Sequence, residues 1–389
     1  MEYTEIIEKM SIIQARITSA LRPISRPYLK GIDLQKQRTS LITGPRGVGK
    51  TSFLLRESQK NGNMLYISAD HPLVSTLSLW ELGERAFLSG YSGLIVDEVH
   101  FAADWSAHLK SLYDSFPDKF IWASDSSSLV LRLGTHDLSR RFPTQYVPFL
   151  SLREYIALKG QQELKAFDPL RAEAAAFEEA LSTGSILAHF RDYLREGFRP
   201  IFLEDQYQSR ILSVIEKTIM ADIPFFVSGV HDNHLRLMRA IMGYLATTHI
   251  PTLNIESLSK EWGVGKEKLY SLLSVMDEVG LITIVRLKSD HKAAGKGAKI
   301  FFADPTMYAA LSGDLGNVRE AFVVAAFKQA GKTVYAADKE VDGDLVIDGM
   351  LVEVGGKQKK RKKADFVIRD DSERPIGNGI PLWSLGMMY

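Results

Sequence analysis

The residues best suited to chemistry form a glycine-rich stretch near the start of the chain. The string Gly-Pro-Arg-Gly-Val-Gly-Lys-Thr at 44–51 fits the pattern G-x-x-x-x-G-K-[ST]. In such a loop the glycines let backbone N–H groups surround phosphate oxygens, the lysine reaches the β- and γ-phosphates, and the hydroxyl binds Mg²⁺. The predicted nucleotide-binding residues are Gly44, Pro45, Arg46, Gly47, Val48, Gly49, Lys50, Thr51 and Ser52. The pattern predicts that ATP and Mg²⁺ bind here, the alternative being a glycine-rich turn without a ligand.

Two adjacent carboxylates, Asp97 and Glu98, end an apolar run 47 residues after Lys50. One acid at this place holds the Mg²⁺ that a phosphate loop binds, and a second orients and polarises the attacking water. We assign the metal to Asp97 and the catalytic role to Glu98, together with Lys50. His100 completes the string Asp-Glu-Val-His, which is typical of DExH helicases, but no arginine-rich helicase motif follows. We therefore expect His100 to be a structural residue.

Two further positions are candidates for sensing or stabilising phosphate charge. Ser124 ends the apolar run that starts at Phe120, so its hydroxyl is a candidate γ-phosphate sensor, with loop capping as the alternative. Arg140 and Arg141 precede the next apolar run. An arginine there can stabilise transition-state charge on the nucleotide of a neighbouring subunit, which would require a homo-oligomer. Pairing with a surface acid is the alternative.

These residues need elements that bring them together. Short apolar runs alternate with helical stretches from Thr39 to about Phe149. Runs that are apolar throughout are typical of strands in a parallel sheet buried on both faces. The runs are Ser40–Thr43, Met64–Ser68, Gly93–Asp97, Phe120–Ser124 and Thr144–Val147. The pattern predicts an α/β fold in which the phosphate loop follows the first strand.

The rest of the chain reads as a helical region followed by two smaller patterns. Residues 151–250 have helical character, with apolar stripes of helical period in the second half. Residues 255–303 contain two short helices around a glycine turn and then two strand-like runs that flank a loop rich in Lys and Gly. This order is typical of a winged helix-turn-helix. Residues 315–389 begin with a helix and continue with strand-like runs, which indicates a small α/β unit.

The composition excludes several classes of protein. The 389 residues include no cysteine, which excludes disulfides, Cys-ligated zinc, iron–sulfur clusters and thiol catalysis, so a bound metal needs oxygen ligands, as Mg²⁺ does. The net charge of +1 excludes a globally basic nucleic-acid binder but not a local basic patch. No apolar stretch approaches the ~20 residues that span a membrane, and residues 1–10 lack a signal-peptide pattern. We expect a cytoplasmic protein with no membrane partner.

Local basic clusters are candidate contacts for nucleic acid. Lys266 and Lys268 open the second helix of the helix-turn-helix pattern, in the position of a recognition helix. Lys292 and Lys296 lie in the loop between the two following strands, where a basic wing is expected. Residues 357–363 add six basic residues and no acid. These clusters predict binding to DNA or RNA; the alternatives are a winged helix that binds a protein, and charges that are only solvated.

Together these motifs resemble those of the bacterial and archaeal AAA+-type P-loop ATPases that carry a C-terminal domain of unknown function. The resemblance spans nearly the whole chain and rests on Gly44–Ser52, Asp97–His100, Asp104-Trp105, Leu109–Asp114, Leu138–Arg141, Ser151–Tyr155, Glu353–Lys357, Asp365–Asp371 and Gly377–Trp383. It implies an α/β protein with a five-stranded parallel AAA+ core, a helical and winged-helix middle, and a small restriction-endonuclease-like C-terminal unit. It also implies that Arg141 is the arginine acting between subunits. Relatives often carry Thr-Gly-Ser where this chain has Ala-Ser-Asp-Ser at 123–126.

A restriction-endonuclease-like unit raises the question of a nuclease site. Such a site needs an Asp at one strand end and Glu-x-Lys on the next strand, because the carboxylates bind Mg²⁺ and the lysine stabilises the transition state. Asp344, Glu353 and Lys357 are the candidates, with Glu320 as an auxiliary carboxylate. Lys357 stands four residues after Glu353 rather than two, beyond a Gly-Gly pair. This spacing favours a fold that binds or scaffolds over an active nuclease.

The sequence thus predicts four domains and an ATPase. The domains are residues 1–155 (AAA+ core with N-terminal helices), 156–250 (helical lid or connector), 251–312 (winged helix-turn-helix) and 313–389 (restriction-endonuclease-like). The predicted activity is hydrolysis of ATP with Mg²⁺, coupled to the binding of DNA or another partner. The alternatives are a nucleotide-state switch or scaffold with little turnover, and an ATP-coupled DNA nuclease.

Overall fold

The chain folds into two compact units, residues 1–148 and residues 149–389. The structure, a computed structural model, describes residues 3–126, 138–227, 230–248, 255–288, 298–314, 316–339, 341–356 and 363–389. The four domains predicted from the sequence divide the chain more finely, and that division stays a prediction. None of the described helices is both long and apolar enough to cross a membrane.

A five-stranded parallel sheet forms the centre of the first unit. Its strands are β1 (Thr39–Thr43), β2 (Met64–Ser68), β3 (Gly93–Asp97), β4 (Phe120–Asp125) and β5 (Thr144–Tyr146). They stand in the order β2-β3-β4-β1-β5, and every neighbouring pair is parallel. The predicted parallel α/β sheet is therefore confirmed. Every residue of β3 is buried, which explains why its sequence is apolar up to the terminal Asp97.

Helices pack against this sheet. They are α1 (Tyr3–Ser19), α2 (Lys50–Ser58), α3 (Leu79–Leu88) and α4 (Trp105–Ser115), with 3₁₀ turns at Pro27–Gly31, Leu34–Lys36 and Val99–Phe101. The start of α3 shows a typical cap, because the Ser78 hydroxyl accepts a 3.3 Å hydrogen bond from the Glu81 N–H. Since all five strands run in one direction, the loops that follow them leave the sheet at the same edge. This edge collects the residues predicted to bind the nucleotide.

The second unit begins as a helical region. Its described α-helices are Leu152–Leu158, Ala174–Leu181, Ile186–Glu196, Tyr207–Lys217, Ile223–Phe226, Asp232–Thr247, Ile255–Glu261, Lys266–Glu278, Thr306–Ala310 and Gly316–Gln329, with 3₁₀ turns at Pro200–Leu203 and Leu382–Met387 and a π-helical turn at Thr218–Asp222. Gly280, two residues after the helix Lys266–Glu278, has φ +75°, and Leu281 N donates a 3.0 Å hydrogen bond to Met276 O, as at a typical glycine-terminated helix end.

Two sheets complete the second unit. The strands β6 (Ile282–Val285) and β7 (Lys299–Phe302) form an antiparallel pair directly after the helix Lys266–Glu278. A mixed sheet has the order β12-β11-β10-β9-β8. Its strands are β8 (Val334–Ala336), β9 (Leu345–Ile347), β10 (Met350–Gly355), β11 (Phe366–Arg369) and β12 (Gly379–Pro381). β8, β9 and β10 pair antiparallel, whereas β10, β11 and β12 pair parallel.

A buried ion pair joins Arg199 to Asp304 inside the second unit. The two residues are 1% and 0% exposed. The second carboxylate oxygen of Asp304 accepts hydrogen bonds from the N–H and the hydroxyl of Thr306, at 2.8 and 2.6 Å. The guanidinium also lies 4.9 Å from the centre of the Phe149 ring. Burial lowers the pKa of Arg199 to about 10, but the group stays charged at neutral pH.

Candidate nucleotide site

The glycine-rich loop lies between β1 and α2 and has a conformation that needs its glycines. Gly44, Gly47 and Gly49 have φ angles of +145°, +76° and +96°, a region that side chains with a Cβ rarely adopt. At Gly44 the backbone also passes close to the end of β5. A Cβ there would lie 2.2 Å from the carbonyl oxygen of Val147, which no rearrangement of a side chain can relieve. The loop is therefore held against β5 by backbone contact.

Lys50, the first residue of α2, is buried under this loop. Its Nζ donates to the carbonyl oxygens of Gly44 at 2.7 Å and Pro45 at 3.0 Å. Burial lowers the pKa of Lys50, while the nearby carboxylates of Glu98 and Asp97 oppose that shift. The Lys50 ammonium group therefore lies under the glycine-rich loop, next to the place where the loop would hold an anion.

Asp97, at the end of β3, gathers hydroxyl groups from three other elements. Its Oδ2 accepts hydrogen bonds from Thr51 Oγ1 at 2.6 Å and from the Tyr66 hydroxyl at 3.0 Å. Its Oδ1 accepts a hydrogen bond from the Ser124 hydroxyl. Burial and the Asp97 charge raise the pKa of Tyr66, so this phenol stays a hydrogen-bond donor. Thr51 and Asp97, both predicted as Mg²⁺ ligands, thus present their oxygens side by side.

Glu98 follows Asp97 in an unusual backbone conformation. Its φ and ψ are +50° and +50°, which is left-handed and uncommon outside glycine. One carboxylate oxygen lies 3.0 Å from a guanidinium nitrogen of Arg46 in the glycine-rich loop, and the other accepts a 2.8 Å hydrogen bond from Ser126 Oγ. Burial raises the pKa of Glu98, and the Arg46 and Lys50 cations counteract that rise. This backbone turn directs the Glu98 carboxylate toward Arg46 in the glycine-rich loop.

His100 lies in the same site, although the sequence analysis gives it a structural role. It is fully buried, and its Nδ1 lies 2.7 Å from Asp125 Oδ2, which also accepts its backbone N–H at 3.1 Å. The ring is 3.9 Å from the Glu98 carboxylate. Among the described residues, Glu98, His100 and Asp125 are the three whose potential metal-ligand atoms all lie within 4.8 Å of one another. Asp125 is the last residue of β4, which extends one residue beyond its predicted end at Ser124.

The two remaining phosphate candidates have different surroundings. Ser124 is fully buried, and its hydroxyl contacts Asp97. Arg141 is partly exposed, forms two hydrogen bonds of 3.0 and 3.1 Å with the carboxylate of Asp114, and lies 5.7 Å from the centre of the Tyr113 ring. This is the pairing with a surface acid that the sequence allowed. A role for Arg141 between subunits, and with it a homo-oligomer, stays a prediction.

Sequence reasoning missed Arg26 and Tyr66. Arg26 is buried, and its guanidinium donates 2.9 Å hydrogen bonds to the carbonyl oxygens of Val48 in the loop and Pro148 after β5. It therefore links the glycine-rich loop to the segment that follows β5, the strand next to β1. A single arginine before a proline in an irregular segment carries no periodic signal that could have indicated this role. Tyr66 looks like any apolar residue of a buried strand, so its contact with Asp97 depends on the strand order.

The acids proposed for a nuclease site lie in the mixed sheet and on the helix Gly316–Gln329. Asp344 directly precedes β9, whose Leu345 pairs with Val352 of β10, and Asp344 Oδ2 accepts a 2.8 Å hydrogen bond from the N–H of Val354. Glu320 is 3.6 Å from Lys299 Nζ. Of the described residues, these three acids do not form a set with ligand atoms within 4.8 Å of one another. Lys357 lies outside the described residues.

The candidate nucleic-acid contacts are described only in part. Lys266 is exposed at the start of its helix, and its Nζ lies 3.0 Å from a carboxylate oxygen of Glu256 on the preceding helix. Lys268, two residues further along the same first turn, is half-buried. Lys292 and Lys296, as well as most of the basic run 357–363, lie outside the described residues. A basic wing therefore stays a prediction.

Comparison with known proteins finds a domain family in the first part of the chain. Residues 36–156 match the family model described as an AAA domain, which supports the AAA+ type of core predicted for this segment. The chain is 25% identical over 393 residues to the uncharacterized protein MJ1637 of Methanocaldococcus jannaschii, covering 86% of this chain and 79% of that protein. Two variants of Thermotoga maritima RuvB align at 16% identity over 77% and 76% of this chain and 92% and 91% of theirs, with TM-scores of 0.28 and 0.29. These TM-scores are too low to support a conclusion about the fold of this chain.

Proposed function

We propose that this protein binds ATP with Mg²⁺ and hydrolyses it at the edge of the first sheet. The observation that carries the proposal is the 2.6 Å contact between Thr51 of the glycine-rich loop and Asp97 at the end of β3. It joins the two motifs that a phosphate loop needs, in a segment that matches an AAA domain. The buried Lys50 beneath the loop supplies the matching positive charge.

The oxygens of Thr51 and Asp97 fit Mg²⁺, because a hydroxyl and a carboxylate are the hard donors that this ion prefers. When bound, the ion neutralises charge on the β- and γ-phosphates. Lys50, which now donates to the carbonyls of Gly44 and Pro45, would exchange one of those contacts for a phosphate oxygen. The Ser124 hydroxyl holds the Asp97 carboxylate in place and thereby links β4 to the phosphate site.

Glu98 is the group that takes a proton from the attacking water. The water oxygen forms a bond to the γ-phosphorus, its proton passes to the Glu98 carboxylate, and ADP departs with the electron pair of the broken bond. Burial favours this role because it raises the pKa of Glu98 and so strengthens the base. Arg46 and Ser126 engage both carboxylate oxygens, so one of these contacts must open before water can approach.

The test is ATP binding and phosphate release by the wild type and by Lys50→Ala. We expect the variant to lose turnover by roughly 10²-fold or more, because a charge aimed at the transition state in a dry site is removed. Lys60→Ala is the matched control, since Lys60 is exposed in the same unit and pairs only on the surface with Glu57 at 2.7 Å. Equal turnover in the wild type and Lys50→Ala would contradict the proposal.

A nucleotide-state switch with little turnover is a second candidate. The ion pair between Arg46 and Glu98 favours it, because a base whose carboxylate is already held by a cation is slow to accept a proton. A switch binds ATP tightly but releases phosphate very slowly, even with DNA present. Single-turnover measurements with and without DNA therefore separate the switch from the ATPase.

We also propose that the second unit couples the nucleotide state to DNA through a winged helix. The supporting observation is the order of two helices, Ile255–Glu261 and Lys266–Glu278, followed by the antiparallel strands β6 and β7. Lys266 and Lys268 occupy the start of the second helix. Fluorescence anisotropy with duplex DNA should show affinity that falls as salt is raised. Binding that does not respond to salt would contradict this coupling.

The mixed sheet is proposed to be a restriction-endonuclease-like core that binds or scaffolds without cutting. The supporting observation is that Asp344 directs one oxygen to the backbone of β10. Incubation of the protein with plasmid and Mg²⁺ or Mn²⁺, with and without ATP, should leave the plasmid intact. Nicked or linear plasmid that disappears with Glu353→Gln would instead support the ATP-coupled nuclease.

A further inference from the structure

A half-open cavity of about 510 Å³ is lined by residues of the second unit, none of which belongs to the candidate nucleotide site. Its apolar wall is formed by Phe190 and Leu194 on the helix Ile186–Glu196, by Val318, and by Leu382. Phe190, Val318 and Leu382 are 3%, 7% and 1% exposed, so this wall is part of a packed core. A volume of this size falls in the range of small-molecule sites, roughly 300–1,000 Å³.

The other wall of the cavity is cationic. Arg191, Arg195 and Arg319 line it, and among the described lining residues Asp370 is the one acid. A guanidinium nitrogen of Arg319 lies 2.5 Å from Asp370 Oδ2, so one of the three positive charges is balanced within the wall. The wall thus carries two positive charges more than negative ones.

The other two arginines sit on one face of a helix. Arg191 and Arg195 are four residues apart on the helix Ile186–Glu196, and like charges at this spacing destabilise a helix. Arg195 lies 3.8 Å from Asp192 and from Glu196, two acids of its own helix that do not line the cavity. These long contacts moderate the charge of Arg195 and leave its guanidinium on the cavity wall.

We propose that this cavity binds a small organic anion, in which a phosphate or carboxylate group is carried on an apolar ring or chain. The apolar part contacts Phe190, Leu194 and Val318, and the oxyanion meets the guanidinium groups of Arg191 and Arg195. A guanidinium presents parallel N–H donors that match the oxygens of a carboxylate or phosphate. This ligand differs from the nucleotide of the first unit, and the proposal does not depend on ATP hydrolysis.

The test uses four probes with the full chain in calorimetric titrations. 1-Naphthyl phosphate and 1-naphthoate combine an apolar ring with an anion, 1-naphthol has the ring alone, and inorganic phosphate has the anion alone. We expect one site per chain for at least one of the naphthyl anions, with at least ten-fold weaker binding of 1-naphthol and of inorganic phosphate. The better of the two naphthyl anions distinguishes a phosphate ligand from a carboxylate ligand.

Variants locate the site. The double change Arg191→Gln and Arg195→Gln should weaken the naphthyl anion at least ten-fold and leave 1-naphthol unchanged. Arg239→Gln is the matched control, because Arg239 is an exposed arginine of the same unit that pairs with Glu216 at 2.6 Å and does not line the cavity. Binding should persist in Lys50→Ala and in excess ATP, which separates this site from the phosphate loop. No binding of either naphthyl anion, or equal binding by the double variant, would overturn the proposal.

Discussion

Buried carboxylates occur in both units, but their partners differ. In the first unit, the buried Asp97 and the partly buried Glu98 are contacted by side chains of the glycine-rich loop, the start of α2 and the residue after β4, namely Arg46, Thr51 and Ser126. In the second unit, the Asp344 carboxylate bonds to the backbone of the adjacent strand. Side chains such as those of Thr51, Arg46 and Ser126 can rotate and exchange these contacts for a ligand, whereas the Val354 N–H is held in place by the backbone of β10.

The comparison shows that burial of an acid does not by itself identify a reaction site. The Arg199–Asp304 pair in the second unit is as buried as the residues at the glycine-rich loop, and Asp304 also accepts hydrogen bonds from Thr306, two residues further along the chain. Structural ion pairs and reaction sites both perturb charged groups. What distinguishes the first site is the convergence of donors from several loops on one sheet edge.

The largest expected effect is the difference in kcat between a Glu98 variant and a Glu353 variant. Glu98→Gln removes the proposed base and keeps the shape of the side chain, so kcat for ATP hydrolysis should fall by roughly 10²–10⁴-fold with ATP binding retained. Glu353→Gln changes a fully buried acid of the second unit and should leave kcat per folded molecule unchanged. Steady-state phosphate release and nucleotide titrations measure both. A comparable loss of kcat in the two variants would remove the distinction between the regions.

The next effect separates stability from catalysis. Arg199→Met leaves Asp304 as a buried charge without its cation and should lower the free energy of unfolding by about 3–5 kcal/mol. The double variant Arg199→Met and Asp304→Leu should recover most of this loss, because it removes both charges. Chemical denaturation measures the change, and ATP affinity at the first unit provides the control. If Arg199→Met were as stable as the wild type, the ion pair would not be shielded from water, contrary to the structure.

The first sheet and the glycine-rich loop after β1 could be predicted from the sequence because their signals are local. The five apolar runs match β1 to β5 within one residue at each end. The Gly44–Thr51 string predicts the loop between β1 and α2. Arg26, Tyr66 and His100 could not be assigned in this way. Their contacts join residues up to 122 positions apart, as from Arg26 to Pro148, and they depend on the order of the strands. In the second unit the order of two helices and two strands could be predicted from the sequence, whereas the arginine-lined cavity has no motif.

A smaller effect tests the ion pair that holds Glu98. The Arg46 cation lowers the pKa of Glu98 against the rise caused by burial, so Arg46→Gln should raise that pKa further. A base must be deprotonated to act, and the acidic limb of the kcat profile should therefore move to higher pH in the variant. The profile of phosphate release against pH measures this shift. Movement to lower pH, or no movement, would mean that Glu98 does not limit turnover in acid.

The smallest effect concerns Lys266, an exposed counterpart of the buried Lys50. Its pair with Glu256 is 56% and 65% exposed, so Lys266→Ala should change the free energy of unfolding by no more than about 1 kcal/mol. If its helix meets a DNA phosphate, the slope of log affinity against log salt should become shallower by about one. Lys260→Ala, an exposed lysine on the preceding helix, is the matched control and should leave that slope unchanged. Equal slopes in the wild type and Lys266→Ala would restrict Lys266 to its surface pair. Lys266 would then lack the phosphate contact that we propose for Lys50.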